Sequence, residues 1–308
     1  MKVMILNQYG TPEMLQLADL PVPQPSSEEV LIQVHAVSVN PVDFKWRKNG
    51  PFKNFPVVLG WDISGTVRAL GEGVTDFQVG DEVFGMLRFP GEGRAYAQYA
   101  TAPVGDIALK PRKLSFAEAA ATTLAALTAH QVLEKMNLRA GQTVLIHAAA
   151  GGVGHFAVQL AKARGARVIG TASSRNREFV LGLGVDEFVN YHEKLFEEQV
   201  SSVDAVLDGI GGENQIRSLE VLKPGGTLVS IVGPPPATAL ERAAQRGIGA
   251  TNILVYPSRE QLELLSKLVE SGQLRPHISQ TFPLERVADA HQALETGRTV
   301  GKIVLEVG

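Results

Sequence analysis

Two textures of apolar and polar positions divide this chain. In the first third, apolar runs are short and broken by turn residues. Val30–Val34 (VLIQV) follows the proline-rich segment Pro21–Pro25, and Gly65–Ala69 (GTVRA) and Glu82–Phe84 are set apart by Gly71, Gly73, Gly80 and Gly85. Runs of that length and spacing predict an antiparallel barrel or sandwich of bent strands. From about Ser115 an alanine-rich helical stretch leads into apolar strands alternating with helices. That is the pattern of a parallel sheet covered on both faces.

The second texture predicts a strand at Thr143–His147 (TVLIH) and a helix at Gly152–Arg164 with Phe156, Leu160 and Ala163 on one side. A strand at Arg167–Thr171, a helix at Arg177–Leu183 and strands at Glu187–Asn190 and Ala205–Asp208 follow. A helix over Glu213–Leu222 is stopped by Lys223-Pro224-Gly225-Gly226, and Thr227–Val232 is the next strand. Beyond Pro234-Pro235-Pro236 come a strand at Asn252–Tyr256, helices near Glu260–Glu270 and Leu284–Leu294, and a terminal strand at Lys302–Val307. No internal repeat or low-complexity segment interrupts the series.

Composition narrows the function classes. At 308 residues the chain has room for two domains of ordinary size, and 44% hydrophobic with 20% charged residues suits a folded, water-facing protein. A net charge of −3 gives no basic field for nucleic acid. The opening MKVMILNQYG turns polar too soon for a signal peptide, and no run reaches the length of a membrane span, so a cytoplasmic protein is expected. There is no cysteine, which removes disulfides, thiolate nucleophiles and cysteine metal sites.

The sharpest chemical signal is Ala148-Ala149-Ala150-Gly151-Gly152-Val153-Gly154, directly after the strand TVLIH and opening a helix. In that context Gly151 and Gly152 let the backbone approach a pyrophosphate, and Gly154 lets helix and strand pack closely. The helix N-terminus adds unpaired N–H groups and the positive end of its dipole. Ala149 stands where the first glycine of G-x-G-x-x-G is usual. An ordinary glycine-rich turn is the plain alternative, and the flanking βαβ units favour the dinucleotide reading.

The end of the next strand selects the cofactor. An acid about 20 residues beyond the motif would bind the ribose hydroxyls of NAD. Here Thr171-Ala172-Ser173-Ser174-Arg175-Asn176-Arg177 offers hydroxyls and guanidinium groups, and the first acid is Glu178. Those groups suit a 2′-phosphate, so NADPH is expected; a helix cap followed by a solvated basic turn fits the same residues.

With these segments placed, the chain resembles, nearly end to end, the medium-chain dehydrogenase/reductase superfamily, in its zinc-free quinone oxidoreductase (zeta-crystallin-like) branch. The resemblance is carried by VNPVDFKWRKNG (Val39–Gly50), LGWDISGTV (Leu59–Val67), VGDEVFG (Val79–Gly85), LTAHQVL (Leu127–Leu133), HAAAGGVGHFAVQLAK (His147–Lys162), LKPGGTLVSI (Leu222–Ile231) and GKIVLEV (Gly301–Val307). It implies an α/β fold, a Rossmann doubly wound parallel sheet plus a GroES-like β-rich domain. The ranges would be 1–115 for the first part of the GroES-like substrate domain, 116–255 for the NADPH-binding domain and 256–308 for the segment completing the substrate domain, with the active cleft between the domains. In the zinc alcohol dehydrogenases of the superfamily a cysteine sits near Asn40 and a His–Glu pair follows the glycine equivalent to Gly60. This chain has Trp61-Asp62 there, lacks the four-cysteine lobe, and has no paired histidines, so no zinc is expected.

Carried over by position, the resemblance puts Asn40 and Thr128 near the nicotinamide and its ribose. It puts Ala149, Gly151, Gly152 and Val153 on the pyrophosphate, and Ser173, Ser174, Arg175 and Tyr191 around the 2′-phosphate. Asp208-Gly209-Ile210-Gly211 and Ile231-Val232 would line the ribose and nicotinamide side. Lys45 stands where some relatives have an aromatic residue and is the cation to test against a developing enolate; Lys302 and Arg298 are weaker candidates. Each has a structural alternative: Asn40 and Asp43 holding a turn, Thr128 bonding to its own helix, Tyr191 packing at a strand end, His147 and His155 as packing or surface residues.

A hydride acceptor without a metal to polarise it must spread the incoming charge itself, as a quinone or an α,β-unsaturated carbonyl does. The protein's share would be positioning and exclusion of water, with no obligatory proton donor in view. An enoyl-thioester reductase and a non-catalytic NADPH-binding protein remain open. Gly249–Tyr256 is a plausible sheet edge through which two copies would pair as a homodimer. Pro51–Pro56, Phe89–Ala95 and Pro234–Gly249 are the segments expected to line the substrate pocket.

Overall fold

The computed structural model describes residues 1–308, which form two units, Met1–Leu127 with Tyr256–Gly308, and Thr128–Val255. In chain order the strands and helices begin with β1 (Lys2–Leu6), β2 (Leu15–Asp19), β3 (Glu29–Val39), α1 (Pro41–Asn49), β4 (Val57–Val58), β5 (Asp62–Leu70), β6 (Glu82–Met86), β7 (Tyr99–Pro103) and β8 (Ile107–Leu109). Helix α2 (Phe116–Lys135) contains the division between the units. Next come β9 (Thr143–Ile146), α3 (Gly154–Ala163), β10 (Arg167–Ala172), α4 (Arg177–Gly182), β11 (Glu187–Asn190), β12 (Val203–Asp208), α5 (Glu213–Val221), β13 (Leu222–Ser230), α6 (Ala237–Gln245) and β14 (Gly249–Asn252). The chain ends with α7 (Arg259–Glu270), β15 (Ile278–Pro283), α8 (Val287–Glu295) and β16 (Lys302–Glu306).

In the first unit a seven-stranded sheet runs β15-β16-β3-β5-β6-β8, with β7 also on β3, and a small sheet runs β2-β1-β4. All pairs are antiparallel except β15 with β16. Register shifts at Leu31/Ile32 and Val34/Ala36 bend β3 against β5, as strands that turn a sheet around a core must do. The core holds Val30, Ile32, Val37, Leu59, Ile63, Val83, Ile303 and Leu305. Helix α7 begins at Ser258, whose hydroxyl accepts the Gln261 N–H, and buries Leu262, Leu265 and Val269 along one face.

The second unit is a six-stranded parallel sheet in the order β11-β10-β9-β12-β13-β14. Strand β9 is apolar and buried almost throughout, as a strand covered on both faces requires. Phe196, Val206, Leu219 and Leu228 lie in the core of this unit.

Besides β1, β2, β4, β7, β8 and α1, which the sequence reading did not mark, four elements differ from it. The last strand of this sheet is Gly249–Asn252, not Asn252–Tyr256. Ala237–Gln245, within the segment Pro234–Gly249 for which no element was predicted, is a helix that buries Ala239 and Ala243. Strand β13 starts at Leu222 and takes in Lys223-Pro224-Gly225-Gly226, with a register shift against β12 between Val203 and Ala205. Residues Ile278–Pro283 form an unforeseen strand parallel to β16.

Candidate active site

The order of the parallel sheet reverses between β9 and β12, and ligands of such sheets bind outside the carboxyl ends of the strands at that reversal. The residues proposed in this unit gather there. The glycine turn follows β9, Ser173–Arg175 follow β10, Tyr191 follows β11, Gly209 and Ile210 follow β12, and Ile231 and Val232 follow β13.

In the glycine turn the left-handed residue is Ala148, at φ 51°, rather than Ala149. It is held from both sides: its N–H donates to the Thr171 hydroxyl at 3.3 Å, and its carbonyl accepts the Gly151 N–H at 2.8 Å. The Ala149 N–H donates to the Thr171 carbonyl at 2.9 Å. A Cβ on Gly154 would lie 2.2 Å from the Ala148 oxygen and 2.8 Å from the Ala149 Cα, so only glycine lets α3 sit this close. The N–H groups of Gly152 and Val153 have no acceptor within the chain, as the first turn of a helix leaves them. They are the donors a pyrophosphate would use.

At the end of β10, Ser173 is buried and its Oγ has no hydrogen-bond partner. Ser174 and Arg175 are exposed beside it, and the Arg175 guanidinium forms no ion pair. A buried orphan hydroxyl next to an unpaired cation fits a phosphate oxygen. Tyr191 is 50% exposed and lies against His192, with ring centroids 4.3 Å apart. That leaves a ring face at the surface.

After β12 the carboxylate of Asp208 accepts the N–H groups of Ile210 and Gly211, the Asn214 amide and the Ser230 hydroxyl, each at 3.1 Å. Asp208 is thus a shaper of the turn, and Gly209, exposed Ile210 and exposed Val232 form the surface it presents, with Ile231 half-buried beside them. Thr128 is buried on α2.

In the first unit Asn40 precedes α1 and is buried. Its Nδ2 donates to Asp62 at 2.8 Å and to the Ser38 carbonyl at 3.3 Å, and its Oδ1 accepts from Lys302 at 2.5 Å. Lys302 also donates to the Val39 carbonyl at 3.2 Å. Burial pushes the Lys302 ammonium down and the Asp62 carboxyl up, and their mutual attraction opposes both shifts. Asp43 accepts the Asn40 N–H at 2.6 Å. Burial raises its carboxyl to about 8, although the Asn40 N–H and the nearby Tyr96 hydroxyl favour its charged form. Deeper in the same unit Tyr96 bonds His291 at 2.9 Å, and Arg47 pairs with Glu295 at 2.6 Å. Lys45 is exposed on α1 without an ion pair, as is Arg298 beyond α8; the lysine joined to Asn40 is Lys302.

Trp61 and Asp62 stand where the zinc enzymes carry His and Glu, and their surroundings are of another kind. Trp61 is fully buried, donates to the Gly91 carbonyl at 2.7 Å, and meets Trp46 and Phe89 edge-on at 4.9 and 5.4 Å. Trp46 also meets Phe52 at 5.4 Å and Phe89 at 6.0 Å, so the loops Pro51–Pro56 and Phe89–Ala95 converge on one aromatic cluster. The sequence reading missed this cluster, although both tryptophans of the chain are in it. No group of three His, Cys, Asp or Glu is placed to hold a metal ion.

Residues 26–112 match the family described as the alcohol dehydrogenase GroES-like domain, and residues 183–305 match the family described as zinc-binding dehydrogenase. The chain is 35% identical over 322 residues to the 2-methylene-furan-3-one reductase of Solanum lycopersicum, covering 99% of this chain and 79% of the relative. Its structure is similar to that of the quinone oxidoreductase from Coxiella burnetii, with a TM-score of 0.95, 42% identity and coverage of 100% and 99% of the two chains. It is also similar to the Escherichia coli quinone oxidoreductase complexed with NADPH, with a TM-score of 0.91, 29% identity and coverage of 99% and 100%. The chain belongs to the medium-chain dehydrogenase/reductase superfamily, in its zinc-independent quinone oxidoreductase branch.

Proposed function

We propose that this protein is a zinc-independent, NADPH-dependent oxidoreductase acting on quinones or α,β-unsaturated carbonyl compounds. The observation that carries the reading is the row of groups along the carboxyl ends of one parallel sheet. Open N–H donors at Gly152 and Val153 are followed, at the next strand, by an orphan Ser173 hydroxyl and unpaired Arg175. Ser173, Ser174 and Arg175 would hold the 2′-phosphate, and Ala149, Gly151, Gly152 and Val153 the pyrophosphate. Gly209, Ile210, Ile231, Val232, Thr128 and Tyr191 would border the rest of the dinucleotide. NADPH bound there supplies a hydride. The chain's own contribution is to bind, orient and exclude water.

The acceptor class follows from what the first unit carries where the zinc enzymes hold their metal. With Trp61 and Asp62 in place of the His–Glu pair, and Trp61 packed against Trp46, a substrate must delocalise charge onto its own oxygen, as quinones and enones do. The named relatives include both kinds, quinone oxidoreductases and an NADPH-dependent alkenal/one oxidoreductase of Arabidopsis thaliana. NADPH oxidation should be measured against a benzoquinone, a short enone and a crotonyl thioester. Turnover of a quinone or enone is expected. Turnover of the thioester alone would replace the reading with an acyl-thioester reductase, and NADPH binding without any turnover would replace it with a binding protein.

A homodimer is part of the same proposal. Strand β14 is one of the two edges of its sheet, and exposed Leu254 follows it. Sedimentation of the full chain tests this, and a monomer at micromolar concentration would remove it.

A further inference from the structure

His147 has no part in the reading above, yet it lies buried between the glycine turn and α5. Its Nδ1 is 3.2 Å from the Thr171 Oγ1, and its Nε2 is 3.0 Å from the Ser218 Oγ. The ring meets Phe196 edge-on at 4.6 Å. The neighbours of those two hydroxyls decide where every proton sits.

Ser218 Oγ lies 2.6 Å from the carbonyl oxygen of Asn214. A carbonyl cannot donate, so the serine proton is spent there, and Ser218 can only accept from His147. The imidazole must therefore carry its proton on Nε2, leaving Nδ1 as an acceptor. Thr171 Oγ1 is in the mirrored position. It accepts the Ala148 N–H, so its own proton is free to point at Nδ1. Donors and acceptors then run without conflict from Ala148 N–H to Thr171 O–H to His147 to Ser218 O–H to the Asn214 carbonyl. The other neutral tautomer would set two donors on Thr171 Oγ1 and leave its proton, and the Ser218–Nε2 contact, unmatched. A protonated ring would bury a charge and face the threonine proton with a second one. Burial accordingly holds this histidine down to about 4, although Asp208 nearby favours its charged form.

We propose that His147 is a positioning residue for the dinucleotide-binding turn. Its neutral Nε2–H imidazole orients the Thr171 hydroxyl so that this oxygen can accept the N–H of Ala148. Ala148 is the one non-glycine residue of the turn in a left-handed conformation, and a conformation of that kind persists only where its surroundings over-determine it. With the Thr171 hydroxyl and carbonyl holding Ala148 and Ala149, the N–H groups of Gly152 and Val153 keep the direction a pyrophosphate needs. The histidine acts through threonine and the turn, and touches no reacting atom. This role rests on the proposed binding of NADPH.

The test compares Thr171→Val, Thr171→Ser and His147→Phe by fluorescence titration with NADPH and by steady-state kinetics. Thr171→Val is expected to weaken NADPH about tenfold, the size of one lost buried hydrogen bond. KM for NADPH should rise in step, while kcat at saturating NADPH falls far less. Thr171→Ser keeps the hydroxyl and should restore most of the affinity, which a packing role for threonine would not allow. Equal NADPH affinity in Thr171→Val and the unaltered protein would overturn the proposal. Because His147→Phe can fail to fold, the tautomer is also read in the unaltered protein by nitrogen-15 NMR of labelled histidine. A proton on Nε2 throughout neutral pH is expected; a proton on Nδ1 would overturn the proposal even if NADPH binds well. Absence of NADPH binding by the unaltered protein would instead remove the proposed function, and the NMR result would still decide the tautomer.

Discussion

The ammonium of Lys302 and the carboxylate of Asp62 stand 4.0 Å apart at opposite ends of the Asn40 carboxamide. Neither charge has water to turn to, since both residues are buried. Replacing Lys302 by Met should cost about 3–5 kcal/mol, because it strands the Asp62 charge. A second change, Asp62→Asn, should recover part of that loss. Denaturant unfolding of the two singles and the double would show it, and strictly additive losses would mean the two groups are not coupled.

Cofactor choice is predicted to rest on Ser174 and Arg175. Changing both to Ala should weaken NADPH about ten- to hundredfold, the scale of lost charge-assisted hydrogen bonds, and change NADH binding far less. Equal weakening of the two cofactors would put the 2′-phosphate elsewhere.

Stability should fall on both sides of a mildly acidic optimum. His147 and His291 are held by burial at about 4 and about 3, below their ordinary 6.5. The unfolded chain takes up their protons first, so stability present above about 6.5 is lost as pH drops toward those values. Asp43 works the other way. Its carboxyl is raised from 3.8 to about 8, so the stability it contributes is present at low pH and lost as pH rises through 8. In Asp43→Asn the decline above the optimum, as pH rises toward 8, should be shallower; Tm curves that run parallel to the unaltered protein would contradict this.

Gly154→Ala is expected to cost about 1–3 kcal/mol and to loosen NADPH, because the new Cβ meets backbone that cannot swing aside. Thermal unfolding and NADPH titration check the two effects separately. A variant as stable as the original would show that α3 can shift along its axis.

Trp46 offers a test of the acceptor. It joins Phe52 to Phe89 and is only half-buried. Trp46→Leu should raise KM for a benzoquinone several-fold more than for a short aliphatic enal, since stacking of flat rings is worth about 0.5–1.5 kcal/mol. Equal changes in both would take the cluster out of substrate selection.

How much of this was legible in the residues depended on the range of the signal. The glycine turn, the missing acid after β10 and the strand–helix alternation are local, and they were readable directly. Helix α6 was hidden because it follows Pro234-Pro235-Pro236 directly, although Ala239 and Ala243 mark out its buried face. Lys223-Pro224-Gly225-Gly226 reads as a helix stop, and it is one, but the same residues already belong to the next strand. The aromatic cluster joins residues 46, 52, 61 and 89 through tertiary packing. Likewise nothing near His147 in sequence indicates Thr171 or Ser218, 24 and 71 residues away.

The pairing of β16 with β3 also fixes an order of events during synthesis. Val304 sits opposite Ser38 and Leu305 opposite Val37, so β3 must wait for a strand made after the whole second unit. The second unit is contiguous in the chain and can close as soon as it leaves the ribosome. The first cannot, and its unfinished sheet stands open until β16 has been made. A chain cut short before residue 302 would lose the strand that joins β15 to that sheet and, in the same stroke, the lysine that answers Asp62.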